Sequence, residues 1–230
     1  MALNLIMIGP PGCGKGTQAD RVARVRGIPK ISTGDILREA VQAKTELGLR
    51  AKAVMDRGEL VSDEIMVGIV RERLRKPDAA GGFILDGFPR TVAQARSLDQ
   101  ILEGHAPLVV IELAVPDEEV LRRLSSRRVC SKCAANAEPG DAEQDACRRC
   151  GGPMVTRSDD GDASVRTRRL EVYARESQPL LDYYRARPTY RLVNGAQSLD
   201  RVEADLSAAI DAAGGRGRSA SGPGGPERTL

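Results

Sequence analysis

The chain has no tryptophan and only two phenylalanines and four tyrosines in 230 residues. Proteins that hold single-stranded nucleic acid stack bases on aromatic side chains, so this scarcity argues against that class. An excess of one charge is also missing: 35 Lys and Arg face 32 Asp and Glu, a net charge of +3. Bulk electrostatics therefore give no footprint for nucleic acid. The single histidine, His105, lies in Gly104-His-Ala-Pro107 with no evident partner, and histidine acid–base catalysis is not expected. No apolar run approaches the ~18 residues that a spanning helix needs. The first apolar run has no basic segment before it and reads as a strand, not a signal peptide. These features point to the cytoplasm, where five cysteines suit metal ligands or thiols better than disulfides.

What is present starts at that first strand. Leu3 to Ile8 is followed by Gly9-Pro-Pro-Gly-Cys-Gly-Lys-Gly-Thr17 and then by a helical pattern to about Arg26. Strand, Gly-x-x-x-x-Gly-Lys turn and helix form the context of a phosphate loop. Backbone N–H groups of Gly12, Gly14, Lys15 and Gly16 can converge on a polyphosphate, Lys15 adds a point charge, and the helix directs its positive end there. Gly16 follows the lysine where most such loops carry Ser or Thr, so the nearest hydroxyl moves to Thr17.

A chain of this length fits one or two domains. Apolar runs alternate with amphipathic stretches, which predicts an α/β fold, a doubly wound parallel sheet built on the phosphate loop. Helices are expected at Thr33 to Gln42, Glu46 to Arg57, Ser62 to Lys76, Thr91 onward, Pro116 to Arg128, Val165 to a stop before Pro188, and Leu199 to Ala213. Strands are expected near Ile28–Ser32, Phe83–Asp86, Leu108–Val115 and Arg191–Val193. Thr91-x-x-Gln94 reads as a capping box. Residues 129–163 break the rhythm with little periodicity, and 214–230, which include Arg216 and Arg218, read as a disordered tail.

The irregular insert contains Cys130-Ser-Lys-Cys133 and Cys147-Arg-Arg-Cys150, thirteen residues apart. Two such turns supply four thiolates, which close the tetrahedral sphere of Zn²⁺ and leave no water position, so the metal would be structural. An apolar-poor insert of about 35 residues cannot bury a core of its own, which gives the metal a reason to be there. The fifth cysteine, Cys13, reads as a small loop filler. Asp86 ends an apolar strand where phosphate-loop enzymes place a carboxylate near Mg²⁺; capping the next turn is the alternative. Arg90 follows at the sheet edge where open α/β sheets bind ligands. Arg123, Arg127 and Arg128 precede the cysteines, and Arg157, Arg166, Arg168 and Arg169 follow them. Arginines at both hinges of an insert suit a lid that brings charge to a transferring phosphoryl group.

Taken together, Gly9 to Gln18, Ser32-Thr-Gly-Asp-Ile-Leu-Arg38, Gly58-Glu-Leu-Val61, Asp86-Gly-Phe-Pro-Arg-Thr91 and Arg157-Ser-Asp-Asp160 resemble the adenylate kinases of the long-lid bacterial type over roughly residues 1–213. The resemblance implies ATP + AMP ⇌ 2 ADP with Mg²⁺, and a structural Zn²⁺ on Cys130, Cys133, Cys147 and Cys150. It implies ATP contacts at Gly12, Cys13, Gly14, Lys15, Gly16, Thr17, Arg123, Arg127 and Gln197. AMP contacts would be Thr33, Arg38, Glu59, Leu60, Val61, Gly87, Phe88, Pro89, Arg90, Gln94, Arg157 and Arg168. Lys15, Arg90, Arg123, Arg157 and Arg168 would be the catalytic set, with Asp86 holding Mg²⁺ through water. Counting from Arg157 selects Arg168; counting back from Leu170 selects Arg169. The implied layout is a core of residues 1–31, 62–123 and 165–213, an AMP-binding flap at 32–61 and a zinc-stapled lid at 124–164. Where this family usually carries Gly and an aromatic after the second cysteine, this chain has Ala134-Ala-Asn-Ala137, and the loop between the cysteine pairs is shorter. Partners are expected to be ATP, AMP and ADP, with neither nucleic acid nor membrane, and the chain is expected to be a monomer. The rivals are a kinase for UMP or CMP and a zinc-ribbon ATPase that binds nucleic acid.

Overall fold

In the computed structural model, which describes residues 2–133, 135–137, 145–157, 160 and 162–214, the apolar run Leu3–Ile8 is the middle strand, β1, of a parallel sheet. Helix α1, Lys15–Arg26, leaves the loop behind it and stops at Gly27, in the left-handed conformation that glycine adopts without a Cβ clash. Strand β2, Lys30–Ser32, feeds α2, Thr33–Gln42, whose first turn is capped by Ser32 accepting from the Asp35 amide. Thr45 caps α3, Glu46–Asp56, in the same manner. Helix α4, Asp63–Leu74, precedes β3, Gly82–Asp86, with the single turn Pro77–Ala79 between them. Thr91 caps α5, Val92–Ile101. Strand β4, Leu108–Ala114, helix α6, Asp117–Ser125, and short strands β5, Arg128–Cys130, and β6, Met154–Thr156, follow. Helix α7, Ala163–Val172, runs through a π-turn, Tyr173–Ser177, into α8, Gln178–Arg185. Strand β7, Tyr190–Asn194, and α9, Leu199–Gly214, complete the described chain.

The sheet order is β2-β3-β1-β4-β7, parallel throughout. Side chains of a strand alternate between faces. Ile6 and Ile8 therefore join Phe83, Leu85, Leu98 and Tyr184 in one core, while Leu5 and Met7 join Ile84, Val22, Leu124 and Leu206 in the other. Both faces are covered, which is why β1, β3 and β4 read as unbroken apolar runs. Leu5, Ile6, Ile84 and Leu85 are all fully buried, each stabilising the fold by roughly 1.5–3 kcal/mol. This is the doubly wound phosphate-loop fold that the sequence predicts. Strand order reverses at β1, so the crevice beyond its C-terminal end is the place for a ligand.

Two departures from the sequence reading have physical causes. The insert holds an antiparallel pair, Arg128↔Thr156 to Cys130↔Met154, in a stretch with no periodic signal in sequence. Three-residue strands separated by more than twenty residues leave no local pattern to detect. The helix expected from Val165 to a stop before Pro188 starts at Ala163 and is interrupted by the π-turn. Pro179 has no N–H for the preceding turn, and the wider π-turn just before it absorbs the break. Residues 215–230, with Arg216 and Arg218, lie outside the described residues.

Candidate active site

A single cleft of about 1200 Å³ runs across the C-terminal ends of β1, β2 and β3, between the α2–α3 hairpin and the β5–β6 pair. The phosphate loop forms its floor. The first intrahelical bond of α1 is Gln18 N–H to Gly14 O at 3.0 Å, so the amides of Lys15, Gly16 and Thr17 lie ahead of it at the positive helix end. Gly12 has φ +84°, and a Cβ there would meet Leu124 Cγ of α6 at 2.8 Å, so glycine is required both by conformation and by close approach. Lys15 curls over its own loop and donates to Gly9 O at 2.6 Å and to Pro10 O at 2.8 Å. An anion with stronger acceptors would draw the ammonium off these carbonyls.

Asp86, at the end of β3, faces Gly16. Its Oδ2 lies 3.2 Å from where a Cβ on Gly16 would stand, so a Ser or Thr at 16 would crowd the carboxylate. The open space beside a hard oxygen ligand at a phosphate loop fits Mg²⁺ carried by a nucleotide.

The opposite wall is cationic. Arg90 lies where Arg38, Arg157 and Arg169 bear on it; burial first, then Arg169, pull its guanidinium down to about 10, against the attraction of Asp86. Positive side chains gathered around a desolvated arginine suit a multiply charged anion. Arg90 Nε donates to Gly87 O at 2.8 Å, and Thr33 Oγ1 donates to the same carbonyl at 3.0 Å. Gly87 has φ +79°, and a Cβ there would come within 3.0 Å of Arg90 Nη2, so the arginine needs glycine beneath it. Arg38 pairs with Asp35 one helical turn away. Gln94 is buried, with its Oε1 accepting from Arg90 N–H at 2.8 Å and its Nε2 donating to Asp63 Oδ1 at 2.7 Å. The capping box is thus half formed. Thr91 Oγ1 accepts from the Gln94 amide at 3.1 Å, but the Gln94 side chain turns to Arg90 instead of Thr91.

Beside the β5–β6 pair, Asp160 is fully buried and is gripped by Arg127, whose Nε donates at 2.6 Å, and by Arg169. Arg123 is held through Nε by Glu119 at 2.6 Å, and its terminal nitrogens donate to Cys13 O at 3.2 Å and Gly195 O at 3.0 Å. It therefore ties the phosphate loop to the β7–α9 loop. Donation from Arg122 first, then from Arg123, holds the Glu119 carboxyl down at about 2.

The four cysteines of the insert bring their Sγ atoms within 4.8 Å of one another, with Cys130–Cys150 at 3.5 Å and Cys133–Cys147 at 3.7 Å, and all are free thiols. Zn–S bonds of ~2.3 Å in a tetrahedron put the sulfurs about 3.8 Å apart, so the set fits that ion. Amides of Lys132 and Cys133 point at Cys130 Sγ, and the Arg149 amide at Cys147 Sγ, each at 3.4 Å, supplying the donors that thiolates need.

A family model described as adenylate kinase matches residues 7–189. The chain belongs to the adenylate kinase family. Among curated relatives, an adenylate kinase of Archaeoglobus fulgidus is 48% identical over 216 residues, 91% of this chain and 98% of that protein. One from Rhizobium etli strain CFN 42 is 48% identical over 213 residues, covering 90% and 99%. One from Bacillus licheniformis is 46% identical over 209 residues, covering 89% and 96%.

Most residues singled out for ATP, AMP or Mg²⁺ line this cleft: Gly12, Gly14 to Thr17, Thr33, Arg38, Glu59 to Val61, Asp86, Gly87, Pro89, Arg90, Gln94, Arg123, Arg127, Arg157 and Gln197. Three do not. Cys13 is buried behind the loop and Phe88 packs into the core beneath it. Arg168 turns outward to Glu171 at 3.3 Å, with its side chain 41% exposed, whereas Arg169 lines the cleft at 14%. Of the two, Arg169 is therefore the one that α7 turns into the cleft: adjacent helical residues diverge by about 100°, and only one can face inward. Glu119 and Asn136 also line the cleft and were not foreseen. Glu119 carried a signal in its i, i+4 spacing to Arg123. Asn136 carried none, since its bridge to Val129 is a tertiary pairing. Ser158 and Asp159 lie outside the described residues.

Proposed function

We propose that this cleft catalyses reversible phosphoryl transfer from ATP to AMP, giving two ADP. The observation that carries the reading is the convergence of Arg38, Arg90, Arg157 and Arg169 in the same cleft as the phosphate loop. One anion site for a polyphosphate and a second for a monophosphate are what such a transfer requires. The loop and Lys15 hold the donor's phosphates, while Arg38 and Arg90 grip the acceptor's phosphate as planar forks. Thr33, the segment Glu59 to Val61 and Gln94 enclose the acceptor nucleoside. Arg127, Arg157 and Arg169 act from the lid side, neutralising charge on the phosphoryl group in flight. Arg123 braces the donor side of the loop, and Gln197 borders the donor base. Asp86 would hold Mg²⁺, which, when bound, would neutralise charge on the donor's phosphates.

In this reading residues 1–31, 62–123 and 165–213 are the core, 32–61 an acceptor flap and 124–164 a lid stapled by Zn²⁺ on Cys130, Cys133, Cys147 and Cys150. Closure of flap and lid excludes water and suppresses hydrolysis of ATP. The protein acts as a monomer, all site residues coming from one chain, and works in the cytoplasm, in keeping with its free thiols. The test is a coupled assay with ATP as donor and AMP, GMP, CMP or UMP as acceptor. AMP is expected to be used at least ten times better in kcat/KM than the others; preferential turnover of UMP or CMP overturns the assignment.

A further inference from the structure

Asp63 does not line the cleft, yet it holds a side chain that does. It is the first residue of α4, and its carboxylate faces the start of α5. Oδ1 accepts from Gln94 Nε2 at 2.7 Å, and Oδ2 accepts from Thr91 Oγ1 at 2.8 Å. On the other side of the amide, Oε1 of Gln94 accepts from the backbone N–H of Arg90 at 2.8 Å. These partners leave the amide no choice of orientation. A carboxylate only accepts and a backbone N–H only donates, so Nε2 must face Asp63 and Oε1 must face Arg90. A turned amide would set an oxygen against a carboxylate and an NH₂ against an N–H.

We propose that Asp63 is a specificity-determining positioning residue, which locks the Gln94 amide in the orientation that selects an amino-bearing acceptor base. The inference rests on the reading of Gln94 as a contact to the acceptor nucleoside. After its bonds to Asp63 and Arg90, the amide keeps one N–H and one lone pair in a fixed order, on a side chain that lines the cleft. Adenine offers a ring nitrogen acceptor, N1, beside an amino donor, N6, which match that N–H and that lone pair. Hypoxanthine, with O6 and N1–H at the same positions, reverses both, so a donor meets a donor and an acceptor meets an acceptor. Turning the amide would relieve the mismatch; the Asp63 carboxylate opposes it, together with the Arg90 N–H. Sliding the base would also relieve it, but the phosphate grip of Arg38 and Arg90 opposes that. Buried polar groups left unpaired are the strongest source of discrimination between near-isosteric ligands.

The test uses the intact enzyme with saturating ATP and compares AMP with inosine monophosphate (IMP), which differs only at this edge. Wild type is expected to prefer AMP by on the order of 100-fold or more in kcat/KM. Asp63→Asn can donate as well as accept and so removes the stronger constraint, the charged carboxylate, leaving only the Arg90 N–H to oppose turning. It should cut the preference about tenfold, raising KM for AMP while leaving KM for ATP unchanged. Asp63→Glu keeps an acceptor-only group and is expected to retain most of the preference. In a Gln94→Ala background Asp63→Asn should change the preference less than twofold, because its effect passes through Gln94. A purely structural role would lower turnover of both acceptors equally and would persist in that background. Either pattern, or a ratio in Asp63→Asn within twofold of wild type, overturns the proposal. If Asp63→Asn does not fold, the Asp63→Glu ratio and Asp63→Ala carry the same comparison. A wild-type enzyme with no preference for AMP overturns the acceptor assignment itself; a preferring wild type with an unmoved Asp63→Asn overturns only the role of Asp63.

Discussion

Replacing each of two adjacent arginines by alanine separates the positions that the sequence could not. Arg168 makes one exposed ion pair with Glu171, three residues on in the same helix, with side chains 41% and 58% exposed. Such a pair is worth about 0.3–0.5 kcal/mol, so Arg168→Ala should leave kcat/KM within twofold and the melting temperature within about 2 °C. Arg169 is mostly buried, pairs with the buried Asp160, and bears directly on Arg90. Loss of one charge-assisted contact to a phosphoryl group costs about 1.5–3 kcal/mol, which converts to roughly 10- to 150-fold in kcat/KM. Arg127 still grips Asp160 in that variant, so the carboxylate is not orphaned. The loss of stability should therefore stay below the ~3–5 kcal/mol of a broken buried pair. Arg169→Lys restores the charge without the planar fork and should recover only part of the rate. Steady-state assays in both directions, with thermal melts of each variant, give the comparison. A larger loss of kcat/KM in Arg168→Ala than in Arg169→Ala refutes the assignment.

Four other outcomes follow from the structure. Removing the lid metal with a chelator should lower the melting temperature by roughly 5–10 °C, since binding at 100 Kd contributes about 2.7 kcal/mol; the absence of bound metal in the purified protein, or an unchanged melt, counts against a zinc staple. A Cβ on Gly48 would stand 2.0 Å from Ala40 O, so Gly48→Ala should push α2 and α3 apart, cost about 1–3 kcal/mol and raise KM for AMP. By contrast, Gly68→Ala in α4 meets nothing within 4 Å and should stabilise by about 0.5–1 kcal/mol, as read by denaturant melts. Asp99 accepts two bonds from Arg187, at 2.9 and 2.5 Å, and one from Tyr183 at 2.6 Å. Burial alone would raise its carboxyl, but these donors outweigh it and hold it below the usual value of 3.8. A depressed carboxyl stabilises above its unfolded pKa, so the advantage of wild type over Asp99→Asn, about 1–2 kcal/mol at neutral pH, should shrink as pH falls below about 4. An advantage that grows in acid would contradict the sign.

The phosphate loop, the strand before it and the helix behind it were legible because each depends on neighbours in sequence: glycines for positive φ, an apolar run for a doubly buried strand, and a start after Gly14. The cysteine pairs were legible for a similar reason, since each Cys-x-x-Cys turn makes its own amide bonds to sulfur. Two buried faces also imprinted their period on β1, β3 and β4, so the sheet and its winding could be read ahead of the structure. The β5–β6 pairing could not, because its partners are set by chain closure and not by local pattern.

The sequence by itself determined which chemistry the chain can do: a phosphate loop, a set of arginines and a thiolate cage. Only the tertiary structure decided which side chains line the cleft and in what orientation. Arg169 instead of Arg168 faces the cleft because the phase of α7 is fixed by how the helix packs, not by spacing from Arg157. The Gln94 amide has one orientation because Asp63, thirty-one residues earlier, and the Arg90 backbone meet it from opposite sides. Hydrogen bonds of fixed direction between distant segments exist only once the chain has closed, and one-dimensional spacing does not contain them.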